Sequence, residues 1–367
     1  MTAIDNSVMP PEQPRRIRGR HFKQHQLNGT LLSKIHFIDC SFSDIVINNG
    51  TIRDCQFEHC RFSNITVQDG QLENCTIRYG ILHDITARGW FVHHACCIES
   101  EWLRNTLKEC QLERWLLINC QMQHADWQDV QLAYWTAENT PITALTMLGG
   151  SLQDANWHAC TLQQANWKNV AITRQVMGHC VLNNCRYQAI TGNTLVWSQC
   201  LLEQTDLRQL PLVNASFHQA QLKHCRLDKS DLSVALFSEA ALEHCDFTQA
   251  QLQGAQFTDA KLVGCHFDAA NLQQASLLRA HLSQCDLTQA NLSQADLRCC
   301  DLRTSSLQAS KIHKTRMHGA KLQPLDTHFS LPDPLLGQID SWYSRHQPGP
   351  QNKSSLSAQP SGASRYV

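Results

Sequence analysis

Thiols and imidazoles dominate the reactive side chains of this 367-residue chain, which holds 18 Cys and 19 His. The run His93-His94-Ala95-Cys96-Cys97 places two of each within five residues, and both are common zinc ligands. Acidic residues form a second pattern: Asp231, Asp246, Asp286 and Asp296 each stand immediately before a large apolar residue. Carboxylates in pairs could do acid–base work, and clustered thiols could bind metal, exchange redox equivalents or form disulfides. Which of these chemistries is open to the chain depends on where its elements aim the side chains.

Counting in fives from Phe22 to Leu322, every position is a large apolar residue except Ala87, Cys97, Ala137 and Gly192, and no insertion breaks the phase. A helix repeats its apolar stripe near 3.6 residues and a strand alternates every two, so neither keeps each fifth side chain inward over such a length. The chain must turn a corner every five residues. Two residues before each large position stands a small one, as in Ala250, Ala255, Ala260, Cys265, Ala270 and Ala275. One large and one small inward residue per short side fill a narrow tube at native packing density, while the other three residues of each five are mostly polar and face water.

This register assigns the reactive groups. Of the 18 Cys, 15 lie at the small site (40, 55, 60, 75, 110, 120, 160, 180, 185, 200, 225, 245, 265, 285 and 300), where they pack as small apolar residues. Ala95 and Cys97 point inward, whereas His93, His94 and Cys96 point outward, so the run diverges and no metal or cofactor is expected. Turn hydrogen bonding accounts for the aspartates without catalysis. The chain also lacks a nucleotide-binding glycine loop, an HExxH pair and a Gly-x-Ser-x-Gly elbow. A non-enzyme is expected.

Ile45, Ile65 and Ile85 recur at a spacing of 20, as do Cys225, Cys245, Cys265 and Cys285. Four sides of five residues therefore make one coil, and about 15 coils at the ~4.8 Å strand spacing give a rod on the order of 70 Å long. The stretches Ala290-Asn291-Leu292-Ser293-Gln294, Ala295-Asp296-Leu297-Arg298, Ala270-Asn271-Leu272 and Cys245-Asp246-Phe247-Thr248 resemble the pentapeptide-repeat family. Its consensus is a small residue, Asp or Asn, Leu or Phe, then two polar residues. The resemblance implies an all-β fold, a right-handed quadrilateral parallel β-helix, over residues 21–322. In function the family is diverse: some members accompany protein-delivery machinery such as type VI secretion or are delivered effectors, and others are dimeric, gyrase-protecting quinolone-resistance rods that resemble B-form DNA.

The flanks read differently. Residues 1–20, ending Arg15-Arg16-Ile17-Arg18-Gly19-Arg20, form a flexible basic leader. Over 323–345, Asp333-Pro334 starts a short helix whose Leu335, Leu336, Ile339, Trp342 and Tyr343 share one face. Leu336, Ile339, Trp342 and Tyr343 are candidate contacts for capping the rod or for a homodimer through the C-terminal end, and 346–367 reads as a disordered tail. Inside the rod, Trp90, Trp115 and Trp135 stand at small sites, while Gly192 leaves a large one empty. Either the coils widen there, or the three tryptophans are candidate contacts for a protein partner.

With 31 Lys+Arg against 32 Asp+Glu the net charge is −1, and residues 201–322 carry 12 of each sign, which argues against mimicry of a phosphate backbone. No apolar run approaches a membrane span, and the opening residues lack a secretory signal. The expected protein is a bacterial, cytoplasmic, non-enzymatic interaction scaffold or adaptor with a protein partner and no direct nucleic acid binding, compatible with export by a signal-independent secretion system. The alternative is a DNA-mimicking binder of DNA gyrase or topoisomerase.

Overall fold

The computed structural model describes residues 15–322, and these are all strand and corner with no helix. Strand pairing is parallel, with partners 20 residues apart from the first coil, Arg15↔Ile35, through Ile45↔Ile65 and Leu222↔Leu242, to Asp301↔Lys321. The chain is thus a parallel β-solenoid with four short sides per coil, built on the register of five. Side chains one coil apart stack in columns: Phe217 and Phe237 lie 4.8 Å apart, and Phe237 and Phe257 4.7 Å, the separation of adjacent strands. In the coil 221–240 the sides are residues 221–224, 226–229, 231–234 and 236–239, termed sides one to four.

The coil begins inside the expected leader. Strand Arg15–Arg18 pairs with Ile35–Ile38, because Ile17 occupies a large site five residues before Phe22 and pairs with Phe37. Residues 1–14, the expected helix at 323–345 with Leu336, Ile339, Trp342 and Tyr343, and the tail at 346–367 lie outside the described residues.

The corners are made two residues after the large one, nearly always in the left-handed region of backbone space, with Thr304 an exception. Asp39 (φ 52°), Asn49 (51°) and Asn64 (55°) do this, and so do Val234 (59°) and Gln249 (58°). Side-chained residues seldom adopt it, and Asn, Asp and His tolerate it best. Ten successive corners from Asp39 to Asp84 use only Asp, Asn, His or Tyr.

Two kinds of corner share that geometry and differ in where one amide goes. In the turned kind the small residue donates back to the large residue's carbonyl, as Ala235 N does to Leu232 O (3.0 Å) and Ala250 N to Phe247 O (2.9 Å). The amide after the large residue is then taken by the residue before it. Ser233 N reaches Asp231 Oδ1 (3.1 Å), Thr248 N reaches Asp246 (2.9 Å), Thr288 N reaches Asp286 (3.0 Å) and Arg298 N reaches Asp296 (3.2 Å). The aspartates singled out in the sequence are corner caps.

In the extended kind the small residue's amide is directed at the next coil. Gly80 N donates to Ser100 Oγ (3.1 Å), Ile85 N to Asn105 Oδ1 (3.0 Å), Cys120 N to Thr140 Oγ1 (3.3 Å) and Cys285 N to Ser305 Oγ (3.0 Å). These four polar residues are buried at small sites, where a lone amide in an apolar tube would cost about 1–3 kcal/mol. Extended sides fill the N-terminal half. In the C-terminal half they recur once per coil, at Gln221–Lys223, Ala241–Glu243, Lys261–Val263 and His281–Ser283.

Candidate interaction surface

The column Cys225, Cys245, Cys265 and Cys285 closes those four extended corners. A thiol there does what Ala cannot: the Cys245 sulfur takes a hydrogen bond from the Cys225 backbone, and its S–H faces Leu222 O at 3.4 Å and Glu243 O at 3.5 Å. At turned corners, where the amide is already bonded, the small site is mostly Ala, with Cys300 an exception. All 18 cysteines are free thiols, and 16 are buried; Cys96 is half-buried and Cys299 exposed. Burial pushes Cys60, Cys120 and Cys185 up to about 11 and Cys97 well above the ordinary thiol range.

The histidine–cysteine run diverges as its register requires. His93 Nδ1 lies 3.1 Å from Glu113, and His94 Nε2 lies 3.2 Å from Arg114 Nη1, both on the outer surface, while Cys97 is fully enclosed. Among the described residues no group of three His, Cys, Asp or Glu is placed to hold a metal ion.

Two of the three tryptophans offered as candidate contacts are core, as the widened-coil alternative has it. Trp115 is 3% and Trp135 1% exposed, and Trp90 is half-buried. Trp115 packs edge-on to Trp102 (5.1 Å between rings), and Trp135 packs edge-on to Trp127 (5.8 Å) and Trp157 (4.3 Å). The coils have room because neighbouring large sites are reduced to Cys97 and Ala137. Gly192 (φ 123°) is required for another reason: a Cβ there would run into the Ile172 carbonyl of the coil below.

Outside, the rod carries ladders of like positions. Arg104 clasps Asp84, Arg174 clasps Asp154 and Arg279 clasps Asp259, each across one coil step, and these guanidinium groups hold the three carboxyls below the usual range. Gln199, Gln219 and Glu239 form an amide ladder at 2.8 and 2.9 Å.

Charge is distributed along the axis. Residues 15–38 hold six Lys or Arg and no acid, and residues 302–322 hold five and none, whereas 39–301 hold 27 acidic and 17 basic residues, a net −10. The neutrality of 201–322 is therefore the sum of an acidic body and a basic end.

Sequence reasoning missed an apolar corner. Val176, Val213, Val234 and Leu236 are exposed by 43, 38, 48 and 41%, all where side three meets side four. Val176 pairs with Val196 in the next coil, and Val234 and Leu236 flank the buried Ala235. Their outward register positions were readable, but nothing in the five-residue pattern marks an outward Val as part of a cluster.

The family model for a pentapeptide repeat region matches residues 209–277 and 233–312, the half built mainly on turned corners. No curated protein sequence matches the chain. Among solved structures, a pentapeptide repeat protein from the thylakoid lumen of Arabidopsis thaliana is 32% identical over 24% of this chain and 63% of its own, with a TM-score of 0.24. That match spans less than two thirds of the relative. HetL of the cyanobacterium Nostoc sp. strain PCC 7120, involved in heterocyst differentiation regulation, is 18% identical over 83% of this chain and 90% of its own (TM-score 0.17). The plasmid-mediated fluoroquinolone resistance protein QnrB1 is 14% identical over 56% and 88% (TM-score 0.24).

Proposed function

We propose, from its place in the pentapeptide-repeat family and from the surface it presents, that this chain is a rigid, non-enzymatic protein-interaction scaffold or adaptor. The observation that carries the reading is the interior: from Leu202 to Leu302 the large and small sites are filled by side chains at most 2% exposed. Such a tube offers binding columns on its outside and no enclosed space for a substrate. In its finer form the reading places the protein in the bacterial cytoplasm, serving protein delivery by machinery such as type VI secretion.

Charge density weighs against the DNA-mimic alternative. Residues 39–301 span roughly 63 Å of axis at ~4.8 Å per coil, a length over which B-form DNA carries roughly 37 charges. Here the net is −10.

The test is capture of a protein from extract of the native cells by the immobilised full chain, followed by reconstitution of the purified pair. A stoichiometric complex is expected. Failure to reconstitute any complex, or inhibition of gyrase supercoiling by the purified chain, would overturn the reading.

A further inference from the structure

We infer that two copies of this chain pair side by side and antiparallel, through the corner between sides three and four near residue 206. This stands apart from whichever other protein the scaffold binds.

The patch is apolar, and the belt it borders on sides three and four is free of charge. Val176, Val196, Val213, Val234 and Leu236 cluster at the corner, and on sides three and four the stretches 175–179, 191–199 and 211–219 contain no Asp, Glu, Lys or Arg. Exposed apolar side chains grouped on one corner and bounded by polar residues mark an interface, and the rod carries 55 charged residues between 15 and 322 against none in this belt.

The charges on either side of the belt select the occupant and its direction. Toward the C-terminal end, sides three and four carry Lys311, Lys314 and Arg316 with no acid beyond Asp301. Over residues 36–119 the same two sides carry Asp39, Asp54, Glu58, Glu73, Glu99 and Glu113 against Arg53, Arg78 and Arg114. A two-fold axis at about residue 206 brings positions at equal distance on either side of it level, since every 20 residues advance one coil of ~4.8 Å. Residues 311–316 then lie level with roughly 96–101 of the second copy, at the exposed Glu99 and within one coil of Glu113. The basic end of each rod meets the acidic stretch of the other. A parallel pair would set Lys311, Lys314 and Arg316 against their own copies.

Light scattering of the full chain at tens of micromolar in low salt should give the mass of a dimer that weakens in 1 M salt. Val234→Asp with Leu236→Asp should yield a monomer with an unchanged unfolding midpoint, because both side chains are at the surface. Lys314→Glu with Arg316→Glu should weaken the dimer at least tenfold, and adding Glu99→Lys and Glu113→Lys should restore it. A spin label on the exposed Cys299, in a Cys96→Ser background, should report a separation of roughly 45 Å between copies, from ~4.8 Å per coil. A monomeric native chain, a dimer indifferent to Val234→Asp with Leu236→Asp, no rescue by the opposite-charge pair, or a label distance no greater than the width of the rod would each overturn the proposal.

Discussion

Trp135 and Ala137 exchange roles: the indole sits at a small site, the methyl at a large one, and both are buried in the same side of the same coil. The exchange keeps the side's volume roughly constant and lets Trp135 lie edge-on to Trp157 at 4.3 Å. Ala137→Leu therefore overpacks the tube and should lower stability by about 1–3 kcal/mol. In Trp135→Ala/Ala137→Leu much of that loss should return, leaving a coupling of about 1 kcal/mol or more in a double-mutant cycle. Urea midpoints that add independently would show that the two positions do not share one space.

The register of five, the coil of 20 and the inward direction of 15 cysteines were legible because each is a fixed count along the chain. Trp115 and Trp135 were legible only as a choice between widened coils and a contact surface, which is decided by Cys97 and Ala137, a coil or more away or two residues on, making room. The two corner types escaped notice for a related reason, since both keep the phase and both use positive φ. Their signals are nonetheless present in the residues. Asp or Asn before the large residue caps turned corners such as those after Asp231 and Asp246, and a hydroxyl, amide or thiol one coil later answers the amide of extended ones such as Gly80, Ile85, Cys120 and Cys225. The apolar corner at Val234 and Leu236 depends on how separate coils align, which a pattern of five does not encode.

The extended corner makes a prediction that composition does not. Ser100→Ala removes the acceptor for the Gly80 amide, and Thr140→Val removes that for the Cys120 amide, so each should cost about 1–3 kcal/mol despite the small change in size. Ser100→Cys should cost less, because a sulfur answers the same amide elsewhere in the rod. Chemical unfolding of the three variants decides it: equal losses for Ala and Cys at position 100 would show that volume, not the hydrogen bond, matters.

Gln175 occupies a small site with no exposure, and neither atom of its amide has a partner in the protein. Its column neighbour one coil on, Leu195, shows that an aliphatic side chain fits that position. Gln175→Leu should raise stability by about 1–3 kcal/mol, the cost of burying an unanswered amide. A lower urea midpoint would mean that the amide is bonded in solution.

Acid should loosen the rod, the C-terminal coils included. The Arg303 guanidinium holds Asp301 at about 2, and Thr288 and Arg298 hold Asp286 and Asp296 below the usual carboxylate range. A folded pKa depressed below the unfolded value of ~3.9 contributes stability above about pH 4 and loses it as pH falls through the folded value. The carboxyls are half-buried but the arginine partners of Asp296 and Asp301 stand in solvent, so each share is small. The melting temperature should decline between about pH 4 and 2, and Asp301→Asn should lower the plateau and flatten that decline. A profile identical to that of the native chain would remove Asp301 from the account.

Thiol reactivity offers the most direct test of the packed interior. The thiolate is the reacting species, and burial both withholds it from solvent and raises the pKa of groups such as Cys60, Cys120 and Cys185. In the native protein an aromatic disulfide reagent should consume one equivalent quickly at Cys299. A second should follow slowly at the half-buried Cys96, whose thiol burial also pushes up, and 18 equivalents should react after unfolding. Cys299→Ser should abolish the fast phase alone. Rapid native reaction of several equivalents would mean that the coils open on the timescale of the reagent, and the rod would then be a far softer surface than its filled core implies.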